Sequence, residues 1–289
     1  GLLFPVNLVV EPYLQDATPN SMTVLWETDS DSQSIVEWGM YVFLTESTTG
    51  SSFANYGSSR IHMVDLTDLI PNTRYYYRAF SEGLPLTSVK SFRTAKTAEQ
   101  QAFRFAVFGD SGDGSRFQFG IASAVQAMDP EFIIHTGDVV YPSGNVANWD
   151  PFFFVPYRNM LDNICLFTAI GNHDAEGGST YEGALYLPHN NPAGSKRYYS
   201  FDWGNAHFIA LHGPRAANLN RQLEWLQADL EQASQDPNIH WKIVFVHHAP
   251  FSSWLPYPRK VSRHYGGAII ERYTPLFEEF GVDVVFAGH

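Results

Sequence analysis

The chain has 289 residues, 44% hydrophobic and 17% charged, which allows one large domain or two ordinary ones and excludes disorder as a description of the whole. Its 18 basic residues against 30 acidic ones give a formal net charge of −12, a surface that repels nucleic acid and anionic membranes. A pocket for small phosphates stays compatible with that charge, because a bound metal would bring positive charge that the count omits.

In chain order, the opening GLLFPVNLVV lacks a basic leader and is interrupted by Pro5 and Asn7, so it does not read as a signal peptide. Its initial Gly suggests a processed or trimmed chain. No apolar run reaches bilayer-spanning length. Up to about Thr94 the grammar is short alternating stretches (SMTVLWET, SIVEWG, RIHMVDL, RYYYRAF, VKSFRT) separated by turn-rich pieces, the pattern of a β-sandwich. LIPNTRYYYRA places tyrosines after a proline turn, as in a tyrosine corner, and Trp26 is expected in the inter-sheet core. Nothing in this part suggests chemistry. We read residues 1–95 as an accessory domain, the polar residues 96–102 as a linker and 103–289 as the catalytic domain.

Beyond the linker, strands and helices alternate. FRFAVFG leads to a helical FGIASAVQAM, then FIIHTG and an aromatic segment from Pro151 to Leu161. RYYSFDWGNAHFIALHG reads as a hairpin turning at Trp203–Asn205. A helix then carries Leu219, Leu223, Leu226 and Leu230 on one face, and a last helix, roughly Ala268 to Phe280, precedes VDVVFAGH. Cys165, the only cysteine, cannot form an intrachain disulfide or a thiolate cluster, and its apolar setting gives it a structural role.

The chemistry lies in five blocks that each close an apolar run: FAVFGDSG, FIIHTGDVVY, FTAIGNHD, IVFVHH and VVFAGH. In an open α/β sheet, strand ends form the rim where ligands are held. Asp110 and Asp138 follow glycines that let the backbone turn sharply, and a carboxylate at 138 could bridge two cations about 3.5–4 Å apart. Tyr141 could offer a phenolate and Asn172 a neutral oxygen, both accepted by hard cations. His173 suits phosphate binding or proton donation to a leaving group, with Asp174 positioned to orient it. His247 and His248 are adjacent on a strand and point to opposite faces, so only one reaches a common ion unless the strand has ended. His289 closes the set. His62, His135, His189, His207 and His240 read as ordinary surface or core residues, while His212, itself at a strand end, stays open.

The series GD-x-G, GD-x-x-Y, GNH-D/E, V-x-x-H and GH resembles the purple acid phosphatases, a branch of the calcineurin-like metallophosphoesterases. Most of that superfamily has Asp-x-His in the first block. Here Asp110 is followed by Ser111 and Gly112, and Tyr141 takes the place of the histidine, the mark of the purple branch. The resemblance covers the whole chain and implies a fibronectin III-like sandwich ahead of a layered α/β/β/α domain. It implies a dinuclear centre with Fe(III) on Asp110, Asp138, Tyr141 and a histidine. The second ion, Fe(II), Zn(II) or Mn(II), falls to Asp138, Asn172, His247 and His289. His247 is favoured by register, with His248 the fallback.

The same resemblance assigns substrate contact to His173 and His264 and implies hydrolysis of phosphomonoesters by a hydroxide activated at the two ions. Small-molecule phosphate esters are then the partners, with no nucleic acid and no membrane, and the location secreted or periplasmic. The family's last block carries a further histidine two residues beyond 289, so the chain is expected to be shorter than its native form. Two alternatives accompany this reading: a phosphodiesterase or nucleotide pyrophosphatase on the same site, or a binding protein with a vestigial phosphatase domain.

Overall fold

The computed structural model describes residues 6–54, 58–213, 219–251 and 271–289. The N-terminal part is a sandwich. One sheet contains β1 (Leu8–Gln15), β2 (Met22–Thr28), β5 (Ser51–Ala54) and β6 (Arg60–Leu66) in the order β1-β2-β6-β5. The other contains β3 (Ile35–Gly39), β4 (Glu46–Thr49), β7 (Arg74–Ser81) and β8 (Leu84–Pro85) in the order β4-β3-β7-β8, with β9 (Lys90–Arg93) on β7. Trp26 is fully buried and stacks on His62, as its place in the core requires. The Tyr75 hydroxyl accepts the Ile70 N–H at 2.9 Å, which makes the tyrosine corner.

The remainder is built on two further sheets. In the first, β10 (Phe105–Phe108), β11 (Phe132–His135) and β12 (Cys165–Thr168) run parallel. Buried on both faces, β11 is the apolar run FIIH rather than an alternation. Phe108, His135 and Thr168 share one level, so the three strands end together and their following residues emerge side by side. In the second sheet β13 (Tyr199–Trp203) and β14 (Ala206–Leu211) form the expected hairpin through Gly204 and Asn205. Parallel β15 (Trp241–His248) and β16 (Val284–Gly288) complete it.

An aromatic layer joins these sheets: Phe132 meets Trp203 and Phe208, with ring centroids 4.4 and 5.2 Å apart, and Phe167 stacks on Phe201 at 3.7 Å. Each such ring contributes about 1.5–3 kcal/mol on burial. Helix α1 (Arg116–Ala127) follows β10, and the aromatic segment after β11 is helical, ending in α2 (Val155–Leu161). In α3 (Leu219–Gln235) the fully covered stripe is Gln222, Trp225, Leu226, Leu230 and Ala233. Leu219 and Leu223 lie at its margin, because Gln222 turns inward to bond both backbone groups of His212. Of the last helix, α4 (Thr274–Glu279) is described; the earlier part of the expected span, up to residue 270, lies outside the described residues.

The sandwich and the second part share a continuous core. The Tyr13 hydroxyl donates to Ala184 O at 2.9 Å, Gln15 Nε2 to Leu166 O at 2.9 Å and the Tyr77 hydroxyl to Asp162 O at 2.8 Å, all buried. Lys90 forms an ion pair with Asp162 at 2.7 Å.

Candidate metal centre

The strand-end blocks converge. Asp110 follows β10 and Asp138 follows β11, both with left-handed backbone (φ 53° each). Such a conformation costs a non-glycine residue about 1–3 kcal/mol and is held by the surrounding structure. Their carboxylates meet at one phenol: the Tyr141 hydroxyl lies 3.1 Å from Asp138 Oδ2 and 3.3 Å from Asp110 Oδ1. Burial and then the two carboxylate charges push the Tyr141 pKa far up, so the phenol keeps its proton unless a cation competes. The Asp110 oxygens also accept the His289 N–H at 2.9 and 3.1 Å, and Asp138 Oδ1 accepts the His173 N–H at 3.0 Å.

His247 comes from the other sheet and is fully buried. Its Nδ1 is 2.9 Å from the Thr136 carbonyl, which only accepts, so Nδ1 carries a proton and the neutral ring keeps a lone pair on Nε2. That Nε2 faces Asn172 Oδ1 at 3.2 Å, His289 Nδ1 at 3.2 Å and Asp138 Oδ2 at 3.3 Å. A proton on Nε2 or on His289 Nδ1, or a cation, would bridge these atoms. Burial alone would lower the His247 pKa, but the hydrogen bond and charge of Asp138 outweigh it and raise it. For Asp138 the same contact outweighs burial and lowers the pKa. Ligand atoms of Asp138, His247 and His289 lie within 4.8 Å of one another, and oxygen with imidazole donors suits iron, zinc or manganese.

Close backbone approach makes this convergence possible. A Cβ at Gly171 would sit 2.1 Å from Asp138 Oδ1, and one at Gly112 would sit 2.0 Å from Val139 O. A histidine therefore has no room at 112, while Tyr141 reaches both aspartates. Register slips between Val246 and His248, a bulge that breaks strict alternation. Both histidines consequently come near His289, with ring centroids 5.0 Å away for His247 and 4.6 Å for His248. His247 turns Nε2 to Asp138 and Asn172.

One expectation needs correction. Asp174 does not orient His173; it is buried and accepts from Gly171 N–H at 2.8 Å and Val139 N–H at 2.9 Å, bracing the loop that carries Asp138. Burial pushes its pKa to about 7. His173 Nδ1 instead contacts the Pro142 carbonyl at 2.6 Å, and its ring meets Tyr141 edge-on. His135 is a core residue as expected, fully buried and hydrogen-bonded. Its Nε2 lies 2.8 Å from Ser111 Oγ, which is 2.6 Å from the Tyr157 hydroxyl, a buried chain that fixes the turn after Asp110. Burial lowers the His135 pKa to about 3, so it works as a neutral ring. Thr136, whose carbonyl sets the His247 tautomer, was also missed, although it stands inside the HTGD block. His212 has its backbone tied to Gln222 of α3, and its neighbour Gly213 packs against the His248 ring. Burial pushes the Cys165 thiol up, consistent with a packed strand residue. His264 lies outside the described residues.

Parallel strand ends thus gather carboxylates, an amide, a phenol and imidazoles in one place. Residues 103–289 match the calcineurin-like phosphoesterase family, to which the chain belongs, and residues 9–94 match the purple acid phosphatase N-terminal domain. Among relatives, purple acid phosphatase 21 of Arabidopsis thaliana is 28% identical over 94% of this chain and 63% of its own length. Acid phosphatase type 7 of Homo sapiens is 27% identical over 94% and 66%, and an uncharacterised Mycobacterium tuberculosis protein is 27% identical over 80% and 49%. The chain thus spans about half to two thirds of the length of these relatives. The yellow lupin purple acid phosphatase structure superposes with a TM-score of 0.79 at 20% identity, covering 96% of this chain and 57% of that one. The structure of PhoD gives 0.69 at 12% identity over 96% and 70%. Both are likenesses of fold. The family implies a dinuclear metal centre.

Proposed function

We propose that this chain carries the catalytic centre of an acid phosphatase that hydrolyses small phosphomonoesters. Asp110, Asp138 and Tyr141 would hold Fe(III), and Asp138, Asn172, His247 and His289 a second ion, Fe(II), Zn(II) or Mn(II). The observation that carries the reading is the convergence of His247 Nε2 on Asp138, Asn172 and His289 while Tyr141 wedges between Asp110 and Asp138. When bound, the ions supply Lewis acidity that activates water and offsets charge on the transferring phosphoryl group.

The protein's own groups do the rest. Thr136 O fixes the His247 tautomer, so Nε2 is the nitrogen turned toward the site. The Asp174 brace and the His135–Ser111–Tyr157 chain hold the two aspartate turns. With Nδ1 committed to Pro142 O, His173 has Nε2 left to hand a proton to the leaving alkoxide, which departs poorly unless protonated. His264 is proposed as a second substrate contact. Secretion or periplasmic export is proposed from the family alone. The test is metal analysis and visible spectroscopy of the full-length protein, with rates on an aryl monophosphate and a bis-aryl phosphate. Two ions per chain, a tyrosinate-to-iron band and faster monoester cleavage are expected; dominant diester cleavage at every pH would overturn the substrate assignment.

A further inference from the structure

The opposite end of the same three strands carries a second site of different character. Arg104 precedes β10, Glu131 precedes β11 and Ile164 precedes β12, and the sandwich strands β7 and β9 close over them. Between them lies a cleft of about 840 Å³ that includes Arg74, Arg93, Lys96 and Arg104, four of the chain's 18 basic residues. The strand rise of about 3.3 Å per residue puts Arg104 roughly 20 Å from Asp110, so the cleft is separate from the metal centre.

The lining also holds Asp129 and Glu131, which leaves basic residues in excess. Lys96 pairs with Glu131 at 2.6 Å, but among the described residues Arg74, Arg93 and Arg104 form no ion pair in a chain rich in carboxylates. Each is nevertheless held by one nitrogen. Arg93 Nη1 bonds Asn72 O at 2.9 Å, Arg104 Nη1 bonds Met128 O at 2.9 Å, and Arg74 Nη1 reaches Ser91 Oγ at 3.4 Å. Among the described residues the other edge of each guanidinium, the fork that matches phosphate or sulfate, makes no hydrogen bond or ion pair. Phe103 and Ile164 add an apolar wall.

We propose that this inter-domain cleft binds a compact organic polyanion carrying two or more phosphate or sulfate groups. Three guanidiniums without an ion pair among the described residues supply the charge, the fork geometry fits tetrahedral oxyanions, and the volume suits a small ligand rather than a polymer.

Sucrose octasulfate, which a phosphatase cannot hydrolyse, is the probe. It is titrated calorimetrically into the metal-loaded full-length protein with orthovanadate saturating the metal centre. One saturable site per chain is expected. Because Arg74 and Arg104 are exposed, the variant R74Q/R104Q should fold and hydrolyse an aryl monophosphate at the unchanged rate, while losing about tenfold or more in affinity for the probe. Absence of binding to the wild type, or equal affinity in the variant, would overturn the proposal. So would a long heparin chain that binds far more tightly than the octasulfate and ignores the substitutions, since that describes a surface for polymers.

Discussion

Two imidazoles of one sheet face carboxylates and differ in every other respect. His207, near the start of β14, is closed on both sides, with Nδ1 2.6 Å from Asp202 and Nε2 2.8 Å from Asp229 of α3. Burial alone would lower its pKa, but the two hydrogen-bonded carboxylates raise it to about 9, making it a charged clamp between hairpin and helix. His247, at the far end of the neighbouring strand, spends one nitrogen on a carbonyl and turns the other toward a carboxylate, an amide oxygen and a second imidazole. Nearness to a carboxylate is common to both. What separates the proposed ligand from the clamp is the company of its second nitrogen, a cluster of candidate ligands in one case and a single carboxylate in the other.

Removing the shared carboxylate should break the open site most completely. Asp138→Ala is expected to abolish retention of metal and to cut kcat/KM by about a thousandfold, since several kcal/mol of charge stabilisation go with the ions. Metal content and steady-state rates measure both, and a variant keeping full metal and activity would remove Asp138 from the site. His173→Ala should leave metal content intact and lower kcat by about a hundredfold or more for alkyl phosphates, with a smaller loss for aryl esters whose leaving group needs no proton. An equal loss on both substrates would point to a positioning role instead.

Gly112→Ala tests the steric side of the comparison. The added methyl would collide with Val139 O, and we expect about 1–3 kcal/mol of destabilisation, read as a lower Tm, along with weakened metal binding.

The closed clamp gives the smallest effect and a pH signature. The folded pKa of His207 is raised above its ordinary 6.5, so its contribution is complete below about pH 6.5 and is lost as pH rises through 9. About 1–3 kcal/mol should disappear over that window. His207→Gln should flatten the dependence of Tm on pH there and leave kcat unchanged. A wild-type Tm that is already flat between these values would refute the charged clamp.

Much of the architecture was legible because its signals are local: alternation in the sandwich, unbroken apolar runs in β11 and β15, the Gly-Asn turn of the hairpin. The ligand blocks were legible for the same reason, each being a strand and the residues just past it. What the sequence hid is non-local. Nothing near His207 announces that Asp229, a helix residue, will close its second nitrogen. Asp174 lies beside His173 in sequence, yet its carboxylate serves backbone amides of the preceding block. The bulge at His248 depends on pairing with β16, and the cleft arginines are scattered from 74 to 104 and meet only when the two parts dock.

That docking has a consequence for anyone seeking a minimal catalytic fragment. Gln15 clasps both Leu166 and Tyr186, and the Tyr13 and Tyr77 hydroxyls reach across to Ala184 and Asp162. Cutting the polypeptide near residue 100 would strand a buried amide and two phenols on the sandwich and their backbone partners on the other half, so the sandwich is not a detachable tag. Chimeras that graft it from a relative must carry both matching faces. A trimmed catalytic portion would begin its life with the underside of β12 uncovered.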